Sequence, residues 1–226
     1  MIRIYCSLIL TCIFPLNTYC LWAQEDINRY DSSGKRHGTW VEYFDDSKSQ
    51  PKFEGQFEHG ERIGLFKFYQ KGLKQPVALM EFDPASGKII AKYLSQKGKV
   101  ISEGKMADQQ RNGLWTYYHQ KSDKVMMTET YMNGKLHGPK KIFYDNGQLA
   151  EEASYVKGEL DGPRKLYSVK AVVLEDLTYR NGELHGPARF YNGKGELMSE
   201  GQYKDNEHHG TWRYYENGNL KEEKEF

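Results

Sequence analysis

The sequence has no cysteine after residue 20. Its three cysteines are Cys6, Cys12 and Cys20, out of 226 residues in all. Residues 24–226 therefore cannot form a disulfide framework or a thiolate metal site, and they offer no thiol nucleophile.

An excess of charge of either sign is also lacking. After residue 23 the chain carries 31 basic and 31 acidic residues, so its net charge there is about zero. Nucleic-acid binding needs a clustered excess of Lys and Arg, and we expect no nucleic-acid partner. The chain contains no Gly-x-Ser-x-Gly elbow, phosphate loop or dinucleotide fingerprint, and Gly193-Lys-Gly195 is a turn. We therefore expect neither an enzyme nor a cofactor.

A sustained apolar run occurs only at the start of the chain. Met1-Ile-Arg3 precedes an apolar run over Ile4–Phe14, and Ala23 stands before a polar segment. This pattern predicts a secretory signal over 1–23, cleaved near Ala23, and export to the periplasm or outside the cell. An uncleaved anchor is the alternative, but Pro15 interrupts the run short of the ~20 residues that span a bilayer.

Aliphatic residues are few, whereas aromatic residues are many. Hydrophobic residues make up 38% and aromatic residues 14%, including 17 Tyr. This composition supplies rings to stack but little to fill a deep core, so we expect a thin body with much exposed surface.

One pattern recurs along nearly the whole chain. A glycine opens a short run that ends in an aromatic residue, and these glycines are Gly38, Gly64, Gly113, Gly138, Gly162, Gly186 and Gly210. Successive glycines are 26, 49, 25, 24, 24 and 24 residues apart, and the step of 49 predicts a unit near Lys88 that lacks its glycine. A period in this range indicates a repeat array. We predict a lead-in over 24–37 and eight units over 38–226.

Each unit is predicted to be a β-hairpin. Trp212 and Tyr214 alternate with polar residues at the period of two that strands show, and helical periodicity is absent. Asn146-Gly147 and Asn217-Gly218 predict type I′ turns within hairpins, while Asn133-Gly134 and Asn181-Gly182 predict turns between units. The seven recurring glycines are interpreted as structural turn glycines at the start of each first strand. The predicted fold is all-β: an elongated antiparallel meander of about eight hairpins in a twisted single-sheet ribbon.

The recurring string Tyr-x-Asn-Gly-x-Leu-His-Gly-Pro resembles the MORN repeat, in the bacterial variant found in antitoxin-like proteins. It stands at Tyr131–Leu149 and Tyr179–Leu197. The resemblance extends over about residues 30–226. It implies a ribbon of consecutive hairpins and a binding role toward proteins or membrane lipids.

Recurring polar residues offer little chemistry. His37, His137, His185 and His209 precede recurring glycines, but equivalent positions lie about 10 Å apart, which makes a row rather than a metal cage. We interpret them as structural. Glutamates recur in the second strands and are expected to form a ladder with Lys and Arg of neighbouring strands; they are Glu54, Glu103, Glu129, Glu152, Glu175, Glu200 and Glu223, with Lys140, Arg164, Arg189 and Arg213 as partners.

Aromatic rows are the remaining candidate for function. Trp40, Phe66, Trp115 and Trp212 are expected to form the core. A second row points to the opposite face and is the candidate binding surface; it consists of Tyr69, Tyr118, Tyr144, Tyr167, Tyr191 and Tyr215. We predict an exported scaffold whose partner is a protein. The alternative is an envelope glycan stacked on the aromatic rings, and anionic lipid is disfavoured by the neutral charge.

Overall fold

The computed structural model describes residues 26–226, so the predicted signal and its cleavage site lie outside the described residues. Within that range the chain forms seventeen β-strands and no helix. No segment of residues 26–226 is a helix that could cross a membrane. The all-β prediction is confirmed.

The strands follow one another along the chain with short connections. Their bounds are β1 Arg29–Tyr30, β2 Arg36–Tyr43, β3 Pro51–Glu58, β4 Glu61–Phe68, β5 Ala78–Asp83, β6 Lys88–Leu94, β7 Val100–Ala107, β8 Gln110–Tyr118, β9 Val125–Met132, β10 Lys135–Phe143, β11 Leu149–Val156, β12 Glu159–Tyr167, β13 Val173–Arg180, β14 Glu183–Tyr191, β15 Leu197–Lys204, β16 Glu207–Glu216 and β17 Asn219–Glu225.

Each strand pairs antiparallel with the strand before it and the strand after it. The result is a single open sheet in which strands that are adjacent in the sequence are also adjacent in the sheet. The degenerate third unit is present as β6 and β7, as the missing glycine predicted.

The recurring glycines lie inside strands rather than in turns, which corrects their assignment as turn glycines. The strand β10 begins at Lys135, three residues before Gly138. Between Leu136 and Lys140 it advances four residues while β9 advances two, so Gly138 sits in a β-bulge. Its φ is 111°, and all seven recurring glycines, Gly38, Gly64, Gly113, Gly138, Gly162, Gly186 and Gly210, have positive φ. A β-bulge and a tight turn both need a residue with positive φ, and glycine adopts that conformation readily, so glycine occurs in both.

The turns between units are tight, as predicted. Asn133 and Gly134 have φ values of 50° and 75°, and Asn181 and Gly182 have 50° and 85°. Two consecutive residues with positive φ are the signature of a type I′ turn.

Within hairpins, the predicted type I′ turn forms at one Asn-Gly pair and not at the other. Asn217 and Gly218 both have positive φ, at 51° and 78°, which confirms type I′ there. In the loop after Tyr144 only Gly147 has positive φ, and its N–H donates to the Tyr144 carbonyl at 2.8 Å. That geometry is a type I turn followed by a left-handed residue, the usual form of a longer hairpin loop.

Candidate binding surface

The sheet has two faces with different chemistry. We call the face that carries Trp40, Phe66, Trp115 and Trp212 the tryptophan face. The opposite face, which carries Tyr69, Tyr118, Tyr167, Tyr191 and Tyr215, is the tyrosine face. Side chains directly paired across strands share a face, so the strand register assigns each residue to one of them.

The tryptophan face is closed by its own side chains, and the predicted core is confirmed. Trp115 is fully buried. Its ring lies against Gly104, where an added Cβ would stand 2.5 Å from the ring. The Arg111 guanidinium lies 4.5 Å from the ring centroid, and the indole N–H donates to the Lys105 carbonyl at 2.9 Å. The ring is thus held between backbone below and a cation above.

The same arrangement recurs where a unit carries a large ring. Gly55 and Gly201 lie under Phe66 and Trp212 as Gly104 lies under Trp115, each eleven residues before its ring. In the Gly-Pro units the ring is replaced by Lys140, Arg164 or Ala188. The residue opposite is then larger than glycine: it is Glu129, Ala153 or Leu177. Large and small residues therefore alternate across the row, which keeps the face filled.

Charged pairs replace the rings in the middle of the tryptophan face. Arg164 lies between Glu151 at 3.2 Å and Glu175 at 3.0 Å. Buried Glu129 accepts from the Tyr131 hydroxyl at 2.6 Å and lies 3.4 Å from Lys140. Burial alone would raise the pKa of Glu129, but the tyrosine hydroxyls and Lys140 lower it. This carboxylate therefore stays ionised and paired, and the pairs are structural.

The glutamate ladder forms, but it divides between the two faces. Glu129 and Glu175 belong to the tryptophan face. On the tyrosine face, ion pairs join Lys67 to Glu54, Lys92 to Glu103, Lys165 to Asp176, Arg189 to Glu200 and Arg213 to Glu223, at 2.7–3.6 Å. The four expected partners, Lys140, Arg164, Arg189 and Arg213, all pair with a glutamate.

The six candidate tyrosines, Tyr69, Tyr118, Tyr144, Tyr167, Tyr191 and Tyr215, are half-buried, and all but Tyr144 hold one repeat position on the tyrosine face. We call them the tyrosine row. Four donate their hydroxyl to the glutamate fifteen residues earlier: Tyr69 to Glu54, Tyr118 to Glu103, Tyr167 to Glu152 and Tyr215 to Glu200. Tyr144 stands one residue beyond the repeat position, which Phe143 occupies with Thr128 in place of the acid, and its hydroxyl donates instead to the Tyr167 carbonyl at 2.7 Å. Four of the six hydroxyls are thus tied to the preceding unit, and that of Tyr144 to the following one.

The tyrosine–glutamate hydrogen bonds shift the pKa values of both partners. Burial and the Glu54 carboxylate raise the pKa of Tyr69 to about 12. The Lys67 ammonium and the Tyr69 hydroxyl lower the pKa of Glu54. Each phenol therefore stays protonated at physiological pH and acts as a structural donor, not as an acid or base.

A row of exposed apolar side chains runs beside the tyrosine row on the same face. Its members stand directly after the bulge glycine, or at the equivalent place in the third unit, and we call them the apolar row: Leu65, Ile90, Leu114, Pro139, Pro163 and Pro187. Leu65, Ile90 and Leu114 are 51%, 44% and 58% exposed. Between them lie polar residues of the second strands, such as Glu81 and Lys105. Sequence reasoning missed this row because its members differ in type, although each holds the same place in the repeat.

A shallow cleft lies between Pro139 and Pro163 of the apolar row. It measures about 260 Å³, and its rim includes Lys141, Glu152 and Lys165. The face therefore offers an apolar contact once per unit, at a spacing of about 10 Å for two strands, with a charged rim at this cleft.

Two of the four recurring histidines, His137 and His185, hold successive turns together. His137 Nδ1 lies 3.4 Å from the Lys157 backbone N–H, and His185 Nδ1 lies 3.2 Å from Asp205 Oδ1. Asp161, at the same place in the repeat, accepts from the Asn181 N–H at 3.3 Å. In residues 26–226 no group of three or more potential ligands could hold a metal ion.

Three segments of the chain match the model of the MORN repeat variant: residues 136–157, 184–205 and 209–226. Each contains a bulge glycine and the strands on either side of a turn, so the matched unit is the structural repeat described above. The chain is thus a repeat array, and three of its segments match the MORN repeat variant. No curated protein matches it.

Solved structures resemble only parts of the sheet. A crystal structure of TarM is 15% identical over 42% of this chain and 20% of its own, with a TM-score of 0.28. A GtfA/B complex is 14% identical over 41% of this chain and 18% of its own, with a TM-score of 0.30. The chain spans about a fifth of the length of these proteins, and such likeness carries no functional argument.

Proposed function

We propose that this chain is an exported, non-catalytic scaffold that binds a protein partner across its tyrosine face. The observation that carries the proposal is the apolar row, whose six exposed members continue through successive units beside ordered tyrosines. Exposed apolar side chains that recur on one face of a folded protein favour an interaction site.

The composition of the tyrosine face suits a protein partner. Tyrosine is enriched at protein interfaces because its ring supplies apolar area while its hydroxyl stays hydrogen-bonded. The ion-pair ladder provides alternating charges around the apolar contacts, which favours one register of the partner over others. Because four of the six rings are already held by glutamates, those rings lose little side-chain entropy on binding.

The alternative partner, an envelope glycan, has less support. Its sequence basis was the segment from Gly210 to Gly218, yet Trp212 is buried against Gly201 and offers no open ring to a sugar. Only the half-buried tyrosines remain for stacking. Anionic lipid is disfavoured because a neutral surface gains little from a negative membrane.

An antitoxin-like role would place the partner in the cytoplasm, whereas the predicted signal over 1–23 directs export. We therefore propose the binding role without the antitoxin-like assignment. The compartment in which the partner is found decides whether that assignment applies.

The test is co-purification from the native envelope with matched variants. Leu65→Ser/Ile90→Ser/Leu114→Ser removes three members of the apolar row and should abolish recovery of a stoichiometric partner. The control replaces Met132, Val156 and Met198 with Ser; these are similarly exposed, at 41–45%, but lie outside the apolar row. Equal recovery with both triple variants, or saturable binding of a glycan with no protein recovered, would overturn the proposal.

A further inference from the structure

The third unit, which lacks the recurring glycine, opens a cleft at the turn edge of the tryptophan face. Elsewhere successive turns are tied by a backbone bond: the Gly60 N–H donates to the Arg36 carbonyl at 2.8 Å, and the Gly134 N–H donates to the Arg111 carbonyl at 3.0 Å. Among the described residues no equivalent turn bond reaches Arg62. The register through β4, β5 and β6 also runs without a bulge.

The cleft has a volume of about 520 Å³, within the range of ligand sites. Phe57, Phe82 and Ile89 provide apolar walls, while Arg62 and Lys88 supply positive charge. It lies between the turn at Gly60 and the loop over residues 84–87.

Arg62 differs from its two repeat equivalents because it has no acceptor in the described part of the chain. Arg36 lies 3.4 Å from Glu42, and Arg111 donates to the Tyr117 hydroxyl at 2.6 Å. Both acceptors stand six residues after the arginine. Six residues after Arg62 stands Phe68, which cannot accept a hydrogen bond.

The guanidinium of Arg62, although exposed, lies over two aromatic rings. It lies 5.4 Å from the Phe66 ring centroid and 5.5 Å from that of Phe82. Cation–π contacts of this kind orient the group while leaving its N–H donors free. An oriented guanidinium with free donors is a receptor for a planar anion.

We infer that this cleft binds a carboxylate carried next to an apolar side chain, such as the end of a partner's peptide segment. The apolar walls suit the side chain, and Arg62 suits the carboxylate. Glu61 and Asp83 also line the cleft and balance Arg62 and Lys88, which favours a single negative charge over a doubly charged phosphate. Asp83 is already engaged by the Ala85 N–H and the Ser86 hydroxyl.

The probe is N-acetylphenylalanine, followed by chemical-shift changes at the backbone amides of Gly60, Gly87 and Ile89. We expect saturable shifts there with the acid, and at least about tenfold weaker binding of the corresponding amide, as loss of a charge-assisted hydrogen bond predicts. Phenyl phosphate should bind more weakly than the acid.

Two variants test the role of Arg62 directly. Arg62→Gln should weaken the acid about tenfold, whereas Arg36→Gln, which alters the paired equivalent, should not. Phe68→Tyr gives Arg62 the acceptor that Tyr117 gives Arg111, and should weaken binding with the fold intact. Equal binding of acid and amide, shifts at other residues, tighter binding of the phosphate, or no saturable binding would overturn the inference. The cleft is on the face opposite the apolar row. The result of this experiment therefore does not decide the proposed function, which the co-purification experiment tests separately.

Discussion

Gly104→Ala should destabilise the protein, because the new methyl group would meet the ring of Trp115. The Cβ would stand 2.5 Å from the nearest ring carbon, whereas ordinary contact begins at 3.4 Å, so the ring must retreat by about 0.9 Å. It is fully buried and has the Arg111 guanidinium on its other side. Overpacking of this kind costs ~1–3 kcal/mol. Loss of the indole bond to Lys105 adds ~1 kcal/mol.

Against this cost stands the gain of replacing glycine in a strand, roughly 0.5–1 kcal/mol. The net loss in the free energy of unfolding should therefore be about 1–3.5 kcal/mol. Urea denaturation followed by tryptophan fluorescence measures it, with Gly193→Ala as the control. Gly193 has no atom within 4 Å of an added Cβ, so the control should match the wild type or gain up to ~1 kcal/mol.

A double-mutant cycle isolates the contact with the ring. In a Trp115→Ala background, Gly104→Ala should become neutral or stabilising, as expected for residues in direct contact. The chain already contains this compensation, since Leu177 is paired with the small Ala188. If Gly104→Ala costs the same in both backgrounds, the ring is not the cause and the packing argument is refuted.

Two further perturbations follow from local geometry. Ala171 has a φ of 60°, so Ala171→Gly should raise the free energy of unfolding by ~0.5–1 kcal/mol in the same urea assay, and a loss would contradict the assigned strain. The raised pKa of Tyr69, about 12, means that this phenol contributes stability that is fully present below its ordinary pKa of 10.0 and is lost as pH rises toward 12. Glu54→Gln should lower that pKa and move the spectrophotometric titration of Tyr69 to lower pH; an unchanged titration would exclude the bond to Glu54 as a cause.

The repeat made the meander predictable from the sequence. Glycine spacing and alternation set the number and order of the strands, and the step of 49 residues located the irregular unit. The bulges were not predictable in the same way, because a glycine with positive φ is required equally by a bulge and by a turn. Gly138 shows this: the sequence suggested the start of a strand, and the structure places it three residues inside one.

Turn type depended on the length of the loop, which an Asn-Gly dipeptide alone does not specify. Asn217-Gly218 and Asn146-Gly147 are identical pairs, yet only the first forms a type I′ turn. The loop after Tyr144 closes at Gln148, whose carbonyl accepts from the Tyr144 N–H at 2.9 Å, and this longer closure selects the other geometry. Loop length is set by pairing of the flanking strands rather than by the turn residues alone.

The sequence predicted one of the two rows of the candidate binding surface. The tyrosine row was found because five of its members share one residue type at one repeat position; Tyr144 stands one residue later, after Phe143. Their bonds to glutamates fifteen residues earlier, and the apolar row of mixed Leu, Ile and Pro, became visible only once register assigned residues to faces. The predicted export signal stays a prediction.

The most direct test of the account is photo-crosslinking from the two faces in the native envelope. A crosslinking side chain at Leu114 lies on the tyrosine face, and one at Lys224 lies on the tryptophan face; both positions are more than half exposed. The account predicts one discrete protein adduct from Leu114 that is lost with Leu65→Ser/Ile90→Ser, and none from Lys224. An adduct formed from Lys224 alone would contradict it.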